Sequence, residues 1–170
     1  MLNRVRANKD LLLTAGGMVA LMAGRKMTAI SLFSAGFRGL EENWRAAHPE
    51  FQGDWSERWA RAEAFYEETH KDEVNRWLHI VGIPIIVGGT AGLLLATPYR
   101  PLWWGSLGAF TFGWTLNFIG HGVFEKAAPA FRDDPLSFVA GPVWDLKQLQ
   151  QRFSGAASAS PEGVVADAAE

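Results

Sequence analysis

The chain contains no cysteine, which removes disulfides, thiolate metal sites and iron–sulfur clusters from consideration. It has only four histidines among 170 residues, too few for the histidine-rich di-iron centres of membrane desaturases and hydroxylases. Excess charge is also lacking: 16 basic residues against 18 acidic ones give a net charge of -2. With the basic residues scattered along the chain, nucleic acid is not an expected partner. No glycine-rich nucleotide loop is present. The most telling absence is local, because no charged side chain lies between residues 77 and 99 or between residues 101 and 124.

Each uncharged run exceeds the roughly 20 apolar residues that a helix needs to cross a bilayer. The turn Thr97-Pro98-Tyr99-Arg100-Pro101 joins them, so the pair reads as an antiparallel transmembrane hairpin with helices at about 75–97 and 101–126. His79 precedes the turn by about 20 residues and His121 follows it by about 22, which places both roughly 30 Å from the turn at one membrane face. Two ionisable residues at matching depth mark a functional site.

Other polar residues gather at that end. Asn75 precedes His79 by one helical turn and Glu125 follows His121 by one, so each helix shows a histidine and a second polar group on one face; Asn117 extends the second face inward. His70 lies just upstream, beyond a break at Lys71-Asp72 where Asp72 can cap the first span. A straight helix would turn His70 away from His79, and a bend near Asp72 removes that conflict. His70, His79, His121 and Glu125 are therefore the candidate metal ligands, a set suited to Fe(II), Zn(II) or Mn(II) with coordination positions left open. Asn75, Asn117 and Glu125 are candidates for orienting substrate or ligands. His48 lies in a polar stretch and reads as a solvated loop residue.

The remainder frames this site. Two apolar stretches, 11–24 and 27–37, separated by Arg25-Lys26, read as a short helical hairpin, with a charged linker completing an N-terminal segment, 1–53. Asp54 and Glu57 form a capping box for an amphipathic helix to about His70, carrying Trp55, Trp59, Ala62 and Tyr66 as its apolar stripe. Within the first span, Gly88, Gly92 and Ala96 form a small-residue ridge for close helix approach, and Pro84 predicts a kink. Tyr99, Trp103 and Trp104 read as one interfacial belt and Trp77 as the other. Past Pro129, a short helix interrupted at Gly141-Pro142 and a second over 143–153 close a membrane domain spanning 54–153. Residues 154–170 read as a disordered tail. Basic residues Lys71, Arg76, Lys126 and Arg132 flank the hairpin at the histidine end and only Arg100 lies in the turn, so the site is expected at the cytoplasmic face. The fold class is thus all-α, a multi-pass helical membrane protein.

Two segments, FYEETHKDEVNRWLHIVGIP from Phe65 and NFIGHGVFEKAAPAFRDDPLSF from Asn117, together resemble the 2-hydroxy fatty acid dioxygenase family of small membrane proteins, over residues 60–150. The spaced elements are His70-x4-Asn75-x3-His79 and Gly120-His121-x3-Glu125, specific in combination and weak alone. The resemblance implies an Fe(II)-dependent oxidative decarboxylation of a 2-hydroxy fatty acid to the acid one carbon shorter. R-CH(OH)-COOH and O2 give R-COOH, CO2 and water, all electrons coming from the substrate. The implied partners are the hydroxy acid and O2, with a lipid bilayer around the spans; a bacterial inner membrane is the expected setting ahead of an organelle membrane, a choice the residues leave open. Self-association is left open. Two other readings stand beside this one: a bis-histidine haem carrier using His79 and His121, and a membrane scaffold whose polar cluster only holds the hairpin.

Overall fold

Two helical hairpins docked turn to turn build the body of the protein, seen in a computed structural model that describes residues 2–158. The first pairs α1 (Leu2–Met22) with α2 (Lys26–Ala47), and the second pairs α4 (Glu73–Leu95) with α5 (Pro101–Ile119). Between them in sequence lies α3 (Trp55–Thr69), and α6 (Ser137–Ser158) follows. No strand occurs among the described residues. The protein is all-α.

Local chemistry sets the boundaries. Asp54 accepts from the Glu57 amide at 3.0 Å while Glu57 accepts from the Asp54 amide at 2.9 Å, the capping box expected from the sequence. Asp72 caps α4 by accepting from the Asn75 amide at 2.9 Å, so the chain does break between His70 and Glu73. Ala96 is extended before Thr97-Pro98, and Pro101 opens α5, where its missing N–H costs nothing. Gly24, at φ +72°, turns the first hairpin; a Cβ there would sit 2.8 Å from Pro98. The two turns are tied by Tyr99 Oη donating to the Ala23 carbonyl at 2.8 Å and Lys26 Nζ donating to the Ala96 carbonyl at 2.6 Å.

The main core forms between the hairpins, where Leu21 and Ala29 meet Ile83, Ile86, Leu93, Trp103 and Phe110. Trp103 is 1% exposed, so it is a core residue and not an interfacial anchor; Trp104, Tyr99 and Trp77 are exposed. The ridge between α4 and α5 also differs from expectation. A Cβ on Gly89 would fall 2.6 Å from the Phe110 amide nitrogen, and Gly113 faces Ile86 and the Gly82 carbonyl, whereas Gly88 faces open space. Gly92 keeps its place, against Ser106. The close approach is therefore made by Gly82, Gly89 and Gly92 of α4 with Gly113 of α5.

Three elements run longer than their sequence pattern indicates. The N-terminal helices are 21 and 22 residues, since α2 continues through the charged segment and buries Glu41 and Trp44. α6 passes through Gly141-Pro142 unbroken; Gly141 lies against the Tyr66 ring, and this packing holds the helix where proline removes one backbone bond. α6 also runs through residues 154–158, so the expected disordered tail is helical there, and its remainder lies outside the described residues. Pro84 likewise sits inside α4 as one continuous helix.

Among the described residues α4 alone is long and apolar enough to cross a membrane. The tryptophans, glycines, threonines and Asn117 of α5 lower its hydropathy, so the expected pair of spans is supported for one helix.

Arg58 ties the ends together. It is wholly buried, with Nε and Nη2 donating to Glu41 at 2.9 Å each, Nη1 donating to Asp134 at 2.9 Å, and its guanidinium 3.6 Å from the Trp44 ring. α2, α3 and the segment before α6 therefore share one charged anchor.

Candidate metal centre

His70 occupies the C-cap of α3, His79 lies on the second turn of α4, and His121 follows α5 in a π-helical turn, Gly120–Glu125. The wider turn displaces the backbone from α-helical phase, a feature often found at functional sites, and Lys126 closes it in a left-handed conformation at φ 53°. The bend at His70–Asp72 lets α3 pack against α6 while the His70 ring meets those of His79 and His121. All three histidines are buried.

Their rings form a nearly equilateral triangle. Centroids are 4.9 Å apart for His70–His79, 4.9 Å for His70–His121 and 4.8 Å for His79–His121, each pair edge to face. One nitrogen from each lies within 4.8 Å of the others, in reach of one ion whose bonds to imidazole are about 2.1 Å long. His70 Nδ1 donates to the Tyr66 carbonyl at 2.7 Å and His79 Nδ1 donates to the Asn75 carbonyl at 2.9 Å. A carbonyl only accepts, so both rings carry hydrogen on Nδ1 and keep the Nε2 lone pair free, as metal-binding histidines do.

Unpaired atoms point the same way. His70 Nε2 and His121 Nδ1 are buried without a hydrogen-bond partner, a cost of about 1–3 kcal/mol per group that a bound cation would relieve. Burial, with His79 close by, pushes the His70 imidazole down to about 3, so it is neutral and ligand-ready at neutral pH. The three-histidine cluster fits a metal ion.

Glu125 departs from the expected ligand set. Its carboxylate accepts from the amides of Lys71 and Asp72 at 3.3 and 3.2 Å and from Asn75 Nδ2 at 2.9 Å, and it is not among the clustered donors. It stitches the end of the π turn to the start of α4. Asn75 is wholly buried and packs its side chain against Gly120, so it positions His79, through its carbonyl, and the His121 backbone together. Neither lines the cavity beside the triad, whereas Asn117 does; Asn117 Oδ1 is buried without a partner. His48 stays apart, stacked on Trp44 at 4.2 Å.

Tyr66 was visible in the sequence only as part of the apolar stripe. Its ring stacks on His70 at 3.8 Å and its hydroxyl donates to Asp145 at 2.6 Å. The histidines open onto an apolar cavity of about 660 Å³ that continues between the two hairpins.

Comparison with known proteins bears on this geometry. A profile of the Mpo1-like family, described as 2-hydroxy-palmitic acid dioxygenase Mpo1-like, matches residues 56–153, more than half of the chain and the whole of the histidine cluster. The 2-hydroxy-palmitic acid dioxygenase MPO1 of Saccharomyces cerevisiae is 61% identical over 28 residues, which is 16% of this chain and 16% of that relative. No solved structure matches.

Proposed function

The chain belongs to the Mpo1-like family, and from that membership together with the triad we propose that it is an Fe(II)-dependent dioxygenase converting 2-hydroxy fatty acids to acids one carbon shorter. The observation that carries this reading is a buried three-imidazole cluster, with the lone pairs of His70 and His79 set by backbone carbonyls, at the mouth of an apolar cavity. A polar ligand-binding end and an apolar sleeve suit a molecule with a carboxylate head and a hydrocarbon chain.

His70, His79 and His121 would hold the metal. Iron(II) held there would supply activation of O2 toward loss of the carboxyl group as CO2. The protein's own contribution is placement. Asn117 lines the cavity beside the triad with its Oδ1 turned against Gly82 of α4, so it holds the two helices together at the site. Tyr66, through its stack and its carbonyl, holds His70; Asn75 and Glu125 hold His79 and the π turn. Apolar cavity walls keep water from the reacting carbons.

A haem between His79 and His121 fits less well, because His70 stands as close to each ring as they stand to one another, where a macrocycle would need open space. We place the protein in a membrane, α4 and α5 crossing as a pair, with the site at the cytoplasmic side. Arg25 and Lys26 join Arg100 at the docked turns, but the histidine end holds more basic residues, among them Lys71, Arg76, Lys126 and Arg132. Elemental analysis of protein purified without chelators tests the assignment: about one iron per chain is expected, absent from the three histidine-to-alanine variants and retained in His48→Ala. Wild-type protein that is metal-free after loading with Fe(II) would leave the scaffold reading.

A further inference from the structure

The cavity does not end at the histidines. It extends between the hairpins to Met18 and Leu21 of α1 and to Ala29, Ile30 and Phe33 of α2. These helices precede residues 56–153, which the family profile matches. Along α4 the lining residues His79, Ile83, Val87, Thr90 and Leu94 recur every three or four positions, so one stripe of that helix measures the cavity. From His79 to Leu94 is about 22 Å at a rise of 1.5 Å per residue. Carbon–carbon bonds of about 1.5 Å at tetrahedral angles advance about 1.25 Å per carbon, so roughly 18 carbons cover that distance.

The far end is closed. Leu21 and Ala29 are buried and belong to the core cluster that seals the two hairpins, and the docked turns lie immediately beyond. One flank is not closed: Ile30, Val87, Val139 and Leu146 line the cavity and are exposed, offering an apolar side opening through which a lipid chain can enter.

We propose that the N-terminal hairpin is the chain-length gauge of this protein, with Leu21 and Ala29 forming the floor against which the methyl end of a saturated acyl chain stops. The gauge rests on the reading of the site as one for 2-hydroxy fatty acids. It assigns α1 and α2 a part in substrate selection, with acceptance falling steeply beyond about 18 carbons.

Two measurements test it. In the first, a 16-carbon 2-hydroxy acid carrying a diazirine at its terminal carbon is photolysed with the full chain under argon, and the labelled residues are located by mass spectrometry. Label within residues 18–33, competed by the unlabelled acid, is expected; label confined to α5 and α6 overturns the gauge. In the second, binding and turnover are profiled against chain length for Ala29→Leu and Leu21→Ala. The added side chain should move the preference about three carbons shorter, with roughly fourfold loss per excluded methylene, and the truncation should move it longer. An unshifted profile in both folded variants overturns the proposal, and if either fails to fold, the label position decides. Terminal labelling in the hairpin without turnover of any acid would defeat the enzymatic reading and leave the gauge standing; turnover with label elsewhere would do the reverse.

Discussion

The Tyr66 ring lies over that of His70, centroids 3.8 Å apart and planes inclined by 25°. The same tyrosine gives its carbonyl to His70 Nδ1 and its hydroxyl to Asp145, so α3, α6 and one imidazole are fixed by a single residue. Tyr66→Phe keeps the stack and the carbonyl but leaves a buried carboxyl unpaired. It should cost about 1–3 kcal/mol of stability with metal content retained, whereas Tyr66→Ala should lose metal as well. Thermal melts and metal content on the two variants check this.

Gly120 is the second pivot. Any Cβ at this position would collide with the Asn75 side chain, and Asn75 sets both His79 and Glu125. Gly120→Ala should therefore lower metal affinity by about 10–100-fold although it removes no ligand. Gly122→Ala, which faces open space, is the control and should bind metal as the wild type does.

Replacing Arg58 with methionine should destabilise the protein by about 3–5 kcal/mol, because Glu41 and Asp134 are left as buried, uncompensated charges. Lysine should not rescue it, since the forked contact to two carboxylates needs guanidinium geometry. Melting of the detergent-solubilised variants is the check.

Asp145 carries a pH signature. Burial pushes its carboxyl up to about 6, against the opposing pull of the Tyr66 hydroxyl and Arg76. The folded value lies above the unfolded value of about 3.9, so the stability owed to the protonated carboxyl is complete below about pH 4 and lost by about pH 6. Asp145→Asn cannot ionise. The melting temperature of the wild type should fall relative to this variant across that window and then run parallel to it; a constant difference from pH 4 to pH 7 would count against the assignment.

Much of this arrangement could be read from residues alone. The caps at Asp54 and Asp72, the break after His70, the uncharged runs and the matched depth of His79 and His121 are all local or periodic signals, and they placed three imidazoles together. Features depending on contacts distant in sequence were hidden. Arg58 carries no local sign of burial, because its partners Glu41 and Asp134 lie 17 positions before it and 76 after and are brought to it only by the fold. The π turn at Gly120 leaves no periodic trace within six residues, yet it sets where Glu125 points, and the sequence alone leaves that carboxylate either a fourth ligand or a base beside the ligands, without showing its bonds to the amides of Lys71 and Asp72. Trp103 was misplaced for a related reason: an aromatic belt and a hairpin core draw on the same residue type, and only the docking of α1 and α2 decides between them.

Oxygen consumption by Fe(II)-loaded protein, followed together with CO2 release from a 2-hydroxy fatty acid labelled at its carboxyl carbon, separates a dioxygenase from a carrier or a scaffold. Equal uptake of O2 and release of CO2 with no added reductant are expected, yielding the acid one carbon shorter, with loss of both signals in His70→Ala, His79→Ala and His121→Ala. Iron-loaded wild-type protein that consumes no O2 with hydroxy acids of any chain length, or a variant lacking one of the three histidines that stays fully active, would overturn the dioxygenase reading.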